Sequence, residues 1–492
     1  MIRRVLIGVV LFLFVNQFVN AQEMSGLVHS NHAGTNVLFF NPAGMHHQKE
    51  WLSVNIFTAD VFFSNNYAYI PKEDFSFFNM DVPMHQTGYG VSERPFYIYD
   101  KGINTRADVH LKLQGPSVMY IYNQHAFAIS SGARFMTSFK NLTPDLGRLL
   151  YHGFDYNPQH NHDYQVNDFR GTAISWGEMA FSYAYQINNK SFSNLSLGIS
   201  IRNLYSVGGG YVYTNNTVYN LHNDTTLEFK PLNTEVGFSM PLDYNTNELI
   251  PEFKAYGKGW GFDVGVEYKA LLKRQGKYVD ELACRQKYVD YKYRWGISIT
   301  DIGYITLSNN AQYHQYANIN YLWEKTDTSH YENINQIIHN ISYRFYNDPH
   351  ASLKATTFKL WLPTSINASF DYNFENNFYA NASIVFSAPL MMSNYIKKPA
   401  ILSLTPRYER RNFEASLAAS LYEWRYPRLG LSLRFYFFTI GSDYLTSLMN
   451  VHDFNGMDLY LSFKIKFGKG SCNRRGTIKP CGDTGMKYPW FK

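Results

Sequence analysis

Residues 459–467 read Leu-Tyr-Leu-Ser-Phe-Lys-Ile-Lys-Phe, and this stretch near the end of the chain decides the fold class. Its odd-numbered positions are all large and apolar, whereas its even-numbered positions are tyrosine, serine or lysine. Successive side chains of a β-strand point to opposite faces, so the alternation predicts a strand with one apolar and one polar face. A soluble amphipathic strand can show the same pattern, but its apolar face is usually shorter than this one.

The same alternation recurs along the chain, for example at residues 195–202 and 262–269, where the second face carries small or charged residues. Small residues on that face fit a lumen better than the packed interior of a β-sandwich. The pattern predicts an all-β chain that forms a transmembrane antiparallel β-barrel of about fourteen strands, an even number as in single-chain bacterial barrels. The predicted strands are residues 51–63, 107–122, 125–137, 173–187, 194–206, 259–269, 293–305, 357–374, 378–388, 400–408, 413–424, 428–435, 437–445 and 456–467.

The lengths of the connections give independent support. Connections after even-numbered strands are short, whereas four connections after odd-numbered strands are long, at roughly 64–106, 138–172, 207–258 and 306–356. Bacterial barrels have short periplasmic turns and longer external loops. The rhythm therefore predicts a barrel of residues 51–467 in the bacterial outer membrane, with both termini in the periplasm. Residues 270–292, which include Cys284, break the rule as a long periplasmic turn.

The first residues predict export. Arg3 and Arg4 precede an apolar run, and a small-residue cleavage site follows at Ala21, before Gln22. This is the layout of a secretory signal peptide, here residues 1–21. Its apolar run is shorter than the roughly 20 residues that a spanning helix needs.

Composition points the same way. Aromatic residues make up 17% of the chain, with 40 Tyr and 37 Phe, and charged residues make up only 17%. Aromatic girdles and an apolar outer face are typical of membrane barrels, for which outer-membrane lipid is the expected partner. The formal net charge of +6 is too small and too dispersed to indicate a nucleic-acid partner.

Charged residues of both signs fall on the predicted inner faces. In lipid a basic residue at mid-depth would cost roughly 2–4 kcal/mol, which supports their facing the lumen. Mixed signs suggest ion-pair ladders that fill the lumen, whereas a charge-selective open pore would favour one sign. The residues are Lys112, Asp263, Glu267, Lys359, Asp371, Arg407, Glu414, Arg434, Lys464 and Lys466.

Two loops are predicted to contain small helices. Thr143-Pro144-Asp145 has an N-cap residue, a proline at the first helical position and an early acid. Residues 332–345 carry isoleucines at helical spacing. Such helices either pack over the barrel mouth or act as a moving lid.

A basic tail, residues 468–492, follows the last predicted strand. Cys472 and Cys481 would close a short loop within it and are the natural disulfide pair. The tail is either a floppy cationic end or, together with the 270–292 turn, a docking site for a periplasmic protein or the peptidoglycan.

No motif predicts catalysis. The chain lacks Gly-x-Ser-x-Gly, His-Glu-x-x-His and a phosphate loop. His160, His162 and Asp163 are of metal-compatible types but lack regular ligand spacing. We therefore expect no enzymatic activity, no cofactor and no metal.

Residues 22–50 precede the first strand and contain Asn41-Pro42-Ala43-Gly44. An ordinary turn into a strand would explain the motif, but it also resembles the N-terminal segment of the long-chain fatty-acid transporter superfamily. That superfamily includes fourteen-stranded barrels that serve type IX secretion. The resemblance implies that residues 22–50 tuck into the lumen as a plug, with Asn41 and Pro42 among its residues.

A closer resemblance is to an uncharacterised outer-membrane family of bacteria that have type IX secretion. It is carried by the Gly115-Pro116-Ser117, Leu362-Pro363-Thr364 and Ile440-Gly441-Ser442 motifs. It implies a barrel and says nothing of a substrate.

Two functions remain open. The chain is expected to be a channel or transporter for small, hydrophobic molecules, or else a structural or secretion-accessory scaffold that binds protein partners. A continuous apolar path behind residues 22–48 would favour transport, and a lumen packed with paired charges would favour the scaffold.

Overall fold

The computed structural model describes residues 24–76, 82–86, 93–99, 105–190, 193–252, 254–272, 290–326, 331–388 and 394–468. Four predicted features lie outside the described residues: the signal peptide with Ala21 and Gln22, Cys284 in its turn, the Cys472–Cys481 pair, and the basic tail after Gly468.

Fourteen antiparallel strands close into a barrel, which confirms the predicted fold class and strand number. The first strand pairs with the second on one side and with the last on the other, so the ring of fourteen strands is closed. The strands are β1 Glu50–Asn65, β2 Thr105–Tyr122, β3 His125–Leu142, β4 Phe169–Lys190, β5 Ser193–Thr214, β6 Gly257–Leu271, β7 Tyr291–Leu307, β8 in two pieces Phe358–Trp361 and Ser365–Glu375, β9 Phe378–Ser387, β10 Ile401–Glu409, β11 Phe413–Tyr422, β12 Tyr426–Phe435, β13 Phe438–Ser442 and β14 Gly456–Gly468.

The barrel has two different ends. Short turns such as residues 123–124 and 376–377 join strands at one end, called here the turn end. The long connections leave from the opposite end, called the loop end, and include residues 143–168 and 215–256. The predicted alternation of short and long connections is therefore confirmed.

The outer wall carries an apolar belt between two aromatic rims. On β5, Leu197, Ile199 and Ile201 are exposed, while the intervening side chains face the lumen. Aromatic contacts mark the turn end, for example between Trp51 and Tyr120. Because an apolar band flanked by aromatic girdles suits a bilayer and its interfaces, the chain is a membrane β-barrel.

The break in β8 reverses the direction of its side chains. Phe358 and Leu360 face inward before Pro363, whereas Asp371 faces inward after it, so the inward positions change from even to odd numbers. The prediction that Lys359 faces the lumen is therefore wrong, because it carried one alternation through the break. Lys359 is exposed on the outer surface.

A lobe stands on the loop end above β3–β7. Its sheet extends β5, whose residues 209–214 pair with residues 234–239, and its strands are Asp163–Val166, Thr217–Asn223, Thr226–Ser239, Ala311–Trp323 and Leu353–Ala355. Two-residue ribbons also form in the first long connection, at Ala68–Tyr69 with Tyr97–Ile98 and at His85–Gln86 with Glu93–Arg94.

Both predicted loop helices are present, at Pro144–His152 and Ile334–Tyr346. Thr143 caps the first by accepting a hydrogen bond from the Leu146 amide. The other helical segments are short: Ser25–Val28, Leu445–Leu448 and the 3-10 turns Gly34–Phe39, Pro42–His47 and Asn157–Gln159. In the part of the chain that the structure describes, no helix is both long and apolar enough to span a membrane.

Candidate functional site: the plugged lumen and a cavity in the wall

Residues 24–49, called here the plug, lie inside the barrel. Nearly all are buried, with Met24, Ala33 and Met45 wholly inaccessible. Three short helical turns fold the segment compactly instead of letting it cross the lumen as an extended strand. The segment therefore fills the space that an open pore would leave for water.

The Asn41-Pro42 motif starts the third of these turns. The Asn41 side-chain oxygen accepts a hydrogen bond from the Ala43 amide at 2.9 Å, and Pro42 occupies the first helical position. The Asn41 amide group donates to the main-chain oxygen of Val266 on β6, at 3.1 Å. One side chain thus shapes the turn and attaches it to the wall.

Three glycines on neighbouring strands form a socket for this turn. Gly198, Gly265 and Gly296 lie on β5, β6 and β7 and face the lumen beside Asn41-Pro42-Ala43. A Cβ on Gly198 would lie 2.3 Å from the Ala43 nitrogen, and one on Gly265 would lie 2.0 Å from the Asn41 side-chain oxygen. Any side chain here would push the plug away, so these positions need glycine for close approach and not for backbone freedom.

An ion cluster holds the plug near the turn end. The Lys49 amine pairs with the buried carboxylate of Glu409 at the end of β10, and the Asn31 side chain donates to the same carboxylate at 3.0 Å. His32 contacts Glu50, the first residue of β1. On the opposite side His47 Nδ1 lies 2.7 Å from the Glu267 carboxylate.

A second charged layer lies nearer the loop end. Arg134 of β3 pairs with Glu178 at 2.8 Å and with Asp301 at 3.0 Å. Arg202 of β5 pairs with the same Asp301 at 2.6 Å and also with Asp263. The layer joins the inner faces of the five neighbouring strands β3 to β7, and its opposite charges are in contact, so it is a network of paired charges and not a channel lining of one sign.

The predicted lumen residues take part in these networks to different degrees. Arg434 donates to Glu414 at 3.0 Å, and the Lys464 amine donates to the main-chain oxygen of Ala33 in the plug at 3.0 Å. Lys112 lies 3.7 Å from the nearest Asp60 oxygen. The structure places all seven candidates inside the barrel: Asn41, Pro42, Lys112, Asp263, Glu267, Arg434 and Lys464.

Sequence reasoning missed several members. Arg134 and Glu178 lie on predicted strands and could have been found by extending the alternation to every strand. Asp301 could not, because its left-handed backbone (φ 60°) and a register shift between β6 and β7 interrupt the alternation there. The socket glycines were read only as small lumen residues, since nothing in their own strands shows what packs against them.

A cavity open to solvent lies beside the plug, near an irregularity between β2 and β3, and encloses about 430 Å³ of empty space when the open solvent is included. The ladder between these strands shifts by one residue at Gly115-Pro116, and a Cβ on Gly132 would lie 2.7 Å from the Leu113 carbonyl oxygen. The lining includes Leu38 and Phe39 of the plug, the inward-facing Lys112, Gln114, Arg134, Ala180 and Arg202, and the outward-facing Leu113 and Ala133. The lining therefore combines plug residues and lumen-facing side chains with two residues whose side chains point to the apolar outer surface.

His160 and Asp163 lie in the loop-end lobe, where each makes a local hydrogen bond. The His160 ring bonds to the Phe154 carbonyl, and the Asp163 carboxylate accepts from the Asn220 side chain. Among the described residues, no three histidine, cysteine or acidic side chains are grouped so that they could hold a metal ion.

Several solved structures are similar to this chain at low identity. The toluene transporter TbuX of Ralstonia pickettii is 10% identical over 88% of this chain and 94% of its own, with a TM-score of 0.40. A deletion mutant of the TodX monoaromatic hydrocarbon channel is 8% identical over 92% and 100%, with a TM-score of 0.46. A FadL homologue of Pseudomonas aeruginosa is 11% identical over 91% and 97%, with a TM-score of 0.38. At these values the likeness carries no inference about a substrate.

No curated protein matches the chain. Residues 42–443 match the model of a family described as "Family of unknown function (DUF5723)".

Proposed function

The chain belongs to this family of unknown function, DUF5723, and we propose that it is an outer-membrane channel that lets small hydrophobic molecules pass between the membrane and the barrel lumen. We place the loop end outside the cell and both termini in the periplasm, and we propose no chemical step. The observation that carries the proposal is the cavity beside the plug, whose lining includes residues of both faces of β2 and β3.

The cavity suits a small apolar molecule at its outer side. Leu113 and Ala133 face the lipid there, and the plug residues Leu38 and Phe39 lie behind them. A molecule dissolved in the membrane would meet Leu113 and Ala133 first and the charged layer only afterwards, since Arg134 and Arg202 also line the cavity.

The filled lumen favours a lateral route through the wall over a route along the barrel axis. The plug fills the lumen, and the paired charges of Arg134, Glu178, Arg202 and Asp301 line one side of it. Passage onward from the cavity then requires that the plug move at Leu38 and Phe39. The plug is held against the wall by hydrogen bonds, ion pairs and close packing.

The filled lumen favours a second candidate, a scaffold that binds protein partners and passes nothing. Ion pairs between strands and between plug and wall stiffen a barrel, and the lobe at the loop end offers a further surface for contact. On this alternative, the 270–292 turn and the 468–492 tail would bind a periplasmic protein or the peptidoglycan. A role beside type IX secretion stays a prediction from the sequence resemblance.

Uptake of a small apolar probe separates the two candidates. Cells that carry the protein in their outer membrane should take up radiolabelled toluene faster than cells with an empty vector, whereas lactose uptake should not change. Ala180→Phe should abolish most of the gain, because Ala180 faces the cavity and phenylalanine would fill it.

The matched control is Ala419→Phe, which makes the same change on the exposed outer face of β11. Both variants should keep the heat-resistant migration of a folded barrel in detergent gels. No gain in toluene uptake would favour the scaffold, and equal gains for toluene and lactose would indicate a general pore. An Ala180→Phe barrel that is folded and fully active would refute the wall route.

A further inference from the structure

Two lysines lie in one row on the outer wall, separated by one strand, at the loop-end edge of the apolar belt. Cross-strand pairing aligns Lys258 of β6 with Thr306 of β7, and Thr306 with Lys359 of β8. Tyr205 of β5 extends the same row on the other side. Both lysines are exposed, and each has inward-facing neighbours on its own strand, so both side chains lie on the outer surface.

An aromatic row lies directly beneath these lysines. Trp260, Tyr304 and Trp361 are aligned on the same three strands, two residues nearer the belt. The Tyr304 and Trp361 rings are 4.9 Å apart between centroids, and the Lys359 amine lies 4.4 Å from the centre of the Tyr304 ring. Tryptophan and tyrosine prefer the depth of lipid headgroups, so the aromatic row marks the membrane boundary.

The order of side chains along β6 supports this depth. From the belt toward the loop end, the outward positions are Val264, Phe262, Trp260 and Lys258. The lysines therefore lie at the level of the headgroups, with aliphatic and aromatic surface below them for acyl chains.

The spacing allows both amines to reach one anion. Lys258 and Lys359 are two strands apart, about 10 Å between their backbones, and each side chain has a long flexible stem. Neither aligned row contains a carboxylate. The outer row is Tyr205, Lys258, Thr306 and Lys359, and the row beneath it is Asn203, Trp260, Tyr304 and Trp361. Positive charge at this level is thus not neutralised within the rows.

We propose that Lys258 and Lys359 bind the phosphate headgroup of an anionic membrane lipid, whose acyl chains lie along the aromatic and apolar surface of β6–β8. A lipid fits better than a free phosphate ion because the amines stand over an apolar wall that would hold the chains. The site is independent of the cavity and of any transport through it.

Native mass spectrometry of the delipidated barrel in detergent tests the site. Wild-type protein titrated with dioleoyl phosphatidic acid should retain this lipid in preference to dioleoyl phosphatidylcholine. Lys258→Gln/Lys359→Gln should weaken phosphatidic acid binding by about tenfold or more, since each lysine near a membrane surface contributes to anionic lipid binding. Phosphatidylcholine binding should not change.

The matched control is Lys72→Gln/Lys325→Gln, which removes two exposed loop lysines away from the belt. It should bind phosphatidic acid as the wild type does, and millimolar inorganic phosphate should not displace the lipid. The proposal is overturned if the Lys258/Lys359 variant binds as the wild type does, if both double variants lose binding equally, or if inorganic phosphate displaces the lipid.

Discussion

Replacing Gly198 by alanine should loosen the plug without unfolding the barrel. The new Cβ would lie 2.3 Å from the Ala43 nitrogen and 2.4 Å from the Pro42 carbonyl carbon, whereas ordinary contacts begin at 3.4 Å. Both neighbours are main-chain atoms, which cannot turn aside as a side chain can. The third turn of the plug must therefore retreat from β5 by about 1 Å.

Such overpacking costs roughly 1–3 kcal/mol. The strain falls on the contact between plug and wall, so it favours an open form in which this turn has left the wall. Because about 1.4 kcal/mol is a tenfold change in an equilibrium, this open form should become about 5 to 150 times more populated. Hydrogen exchange followed by mass spectrometry measures this at the amides of Asn41, Gly44 and Gln48, which donate to main-chain oxygens within the plug. These amides should exchange at least several times faster in Gly198→Ala.

Gly177→Ala on β4 is the matched control, because its Cβ would meet no atom closer than 3.8 Å. Its exchange should equal that of the wild type, and the barrel strands should stay protected in both variants. A folded Gly198→Ala protein whose plug exchanges at the wild-type rate would refute the socket.

Three further perturbations test other parts of the structure. Glu409→Gln removes the buried charge that Lys49 and Asn31 share. Breaking such a buried pair costs up to roughly 3–5 kcal/mol, so trypsin should cleave after Lys49 in the variant and not in the wild type. Equal resistance of the two proteins to trypsin would argue against this anchor of the plug. Burial, followed by the nearby His339, lowers the pKa of His314 in the lobe from 6.5 to about 4. The unfolded lobe therefore binds the proton more readily, and stability present above pH 6.5 is lost as the pH falls toward 4. Exchange at residues 311–323 should rise on acidification in the wild type and much less in His314→Gln; identical pH profiles would contradict the assignment. Thr143→Ala removes a helix cap worth about 1 kcal/mol, so exchange should rise in Pro144–His152 alone, and a lower melting temperature of the barrel would be unexpected.

Local alternation was sufficient to predict the barrel strands. Each strand faces lipid on one side and the lumen on the other, so apolar residues alternate with small or polar residues along its own sequence. The prediction failed at Lys359 because Pro363 breaks β8 and shifts the inward positions by one residue. A proline in a strand was the available warning, since it cannot donate to the ladder.

The contacts inside the lumen were not readable in the same way. Glu409 and Lys49, or Arg134 and Asp301, are far apart in the chain, and their pairing depends on barrel shear and on the path of the plug. The Asn41-Pro42 motif indicated a turn, but its glycine socket comes from three strands that the motif does not touch in sequence. The alternation of odd and even positions predicts which side chains of a strand face the lumen. Which of these side chains contact each other is determined only by the assembled barrel.

Disulfide trapping of the plug against the wall tests the central claim, that residues 24–49 occupy the lumen. The hydroxyl oxygens of Thr35 in the plug and Ser117 on β2 are 3.0 Å apart, so cysteines at these two positions can bond with little movement. In a background with Cys284, Cys472 and Cys481 changed to serine, Thr35→Cys/Ser117→Cys should cross-link almost completely in native outer membranes under mild oxidation. If the two thiols instead stay reduced and both react readily with a water-soluble maleimide, the plug does not lie in the lumen.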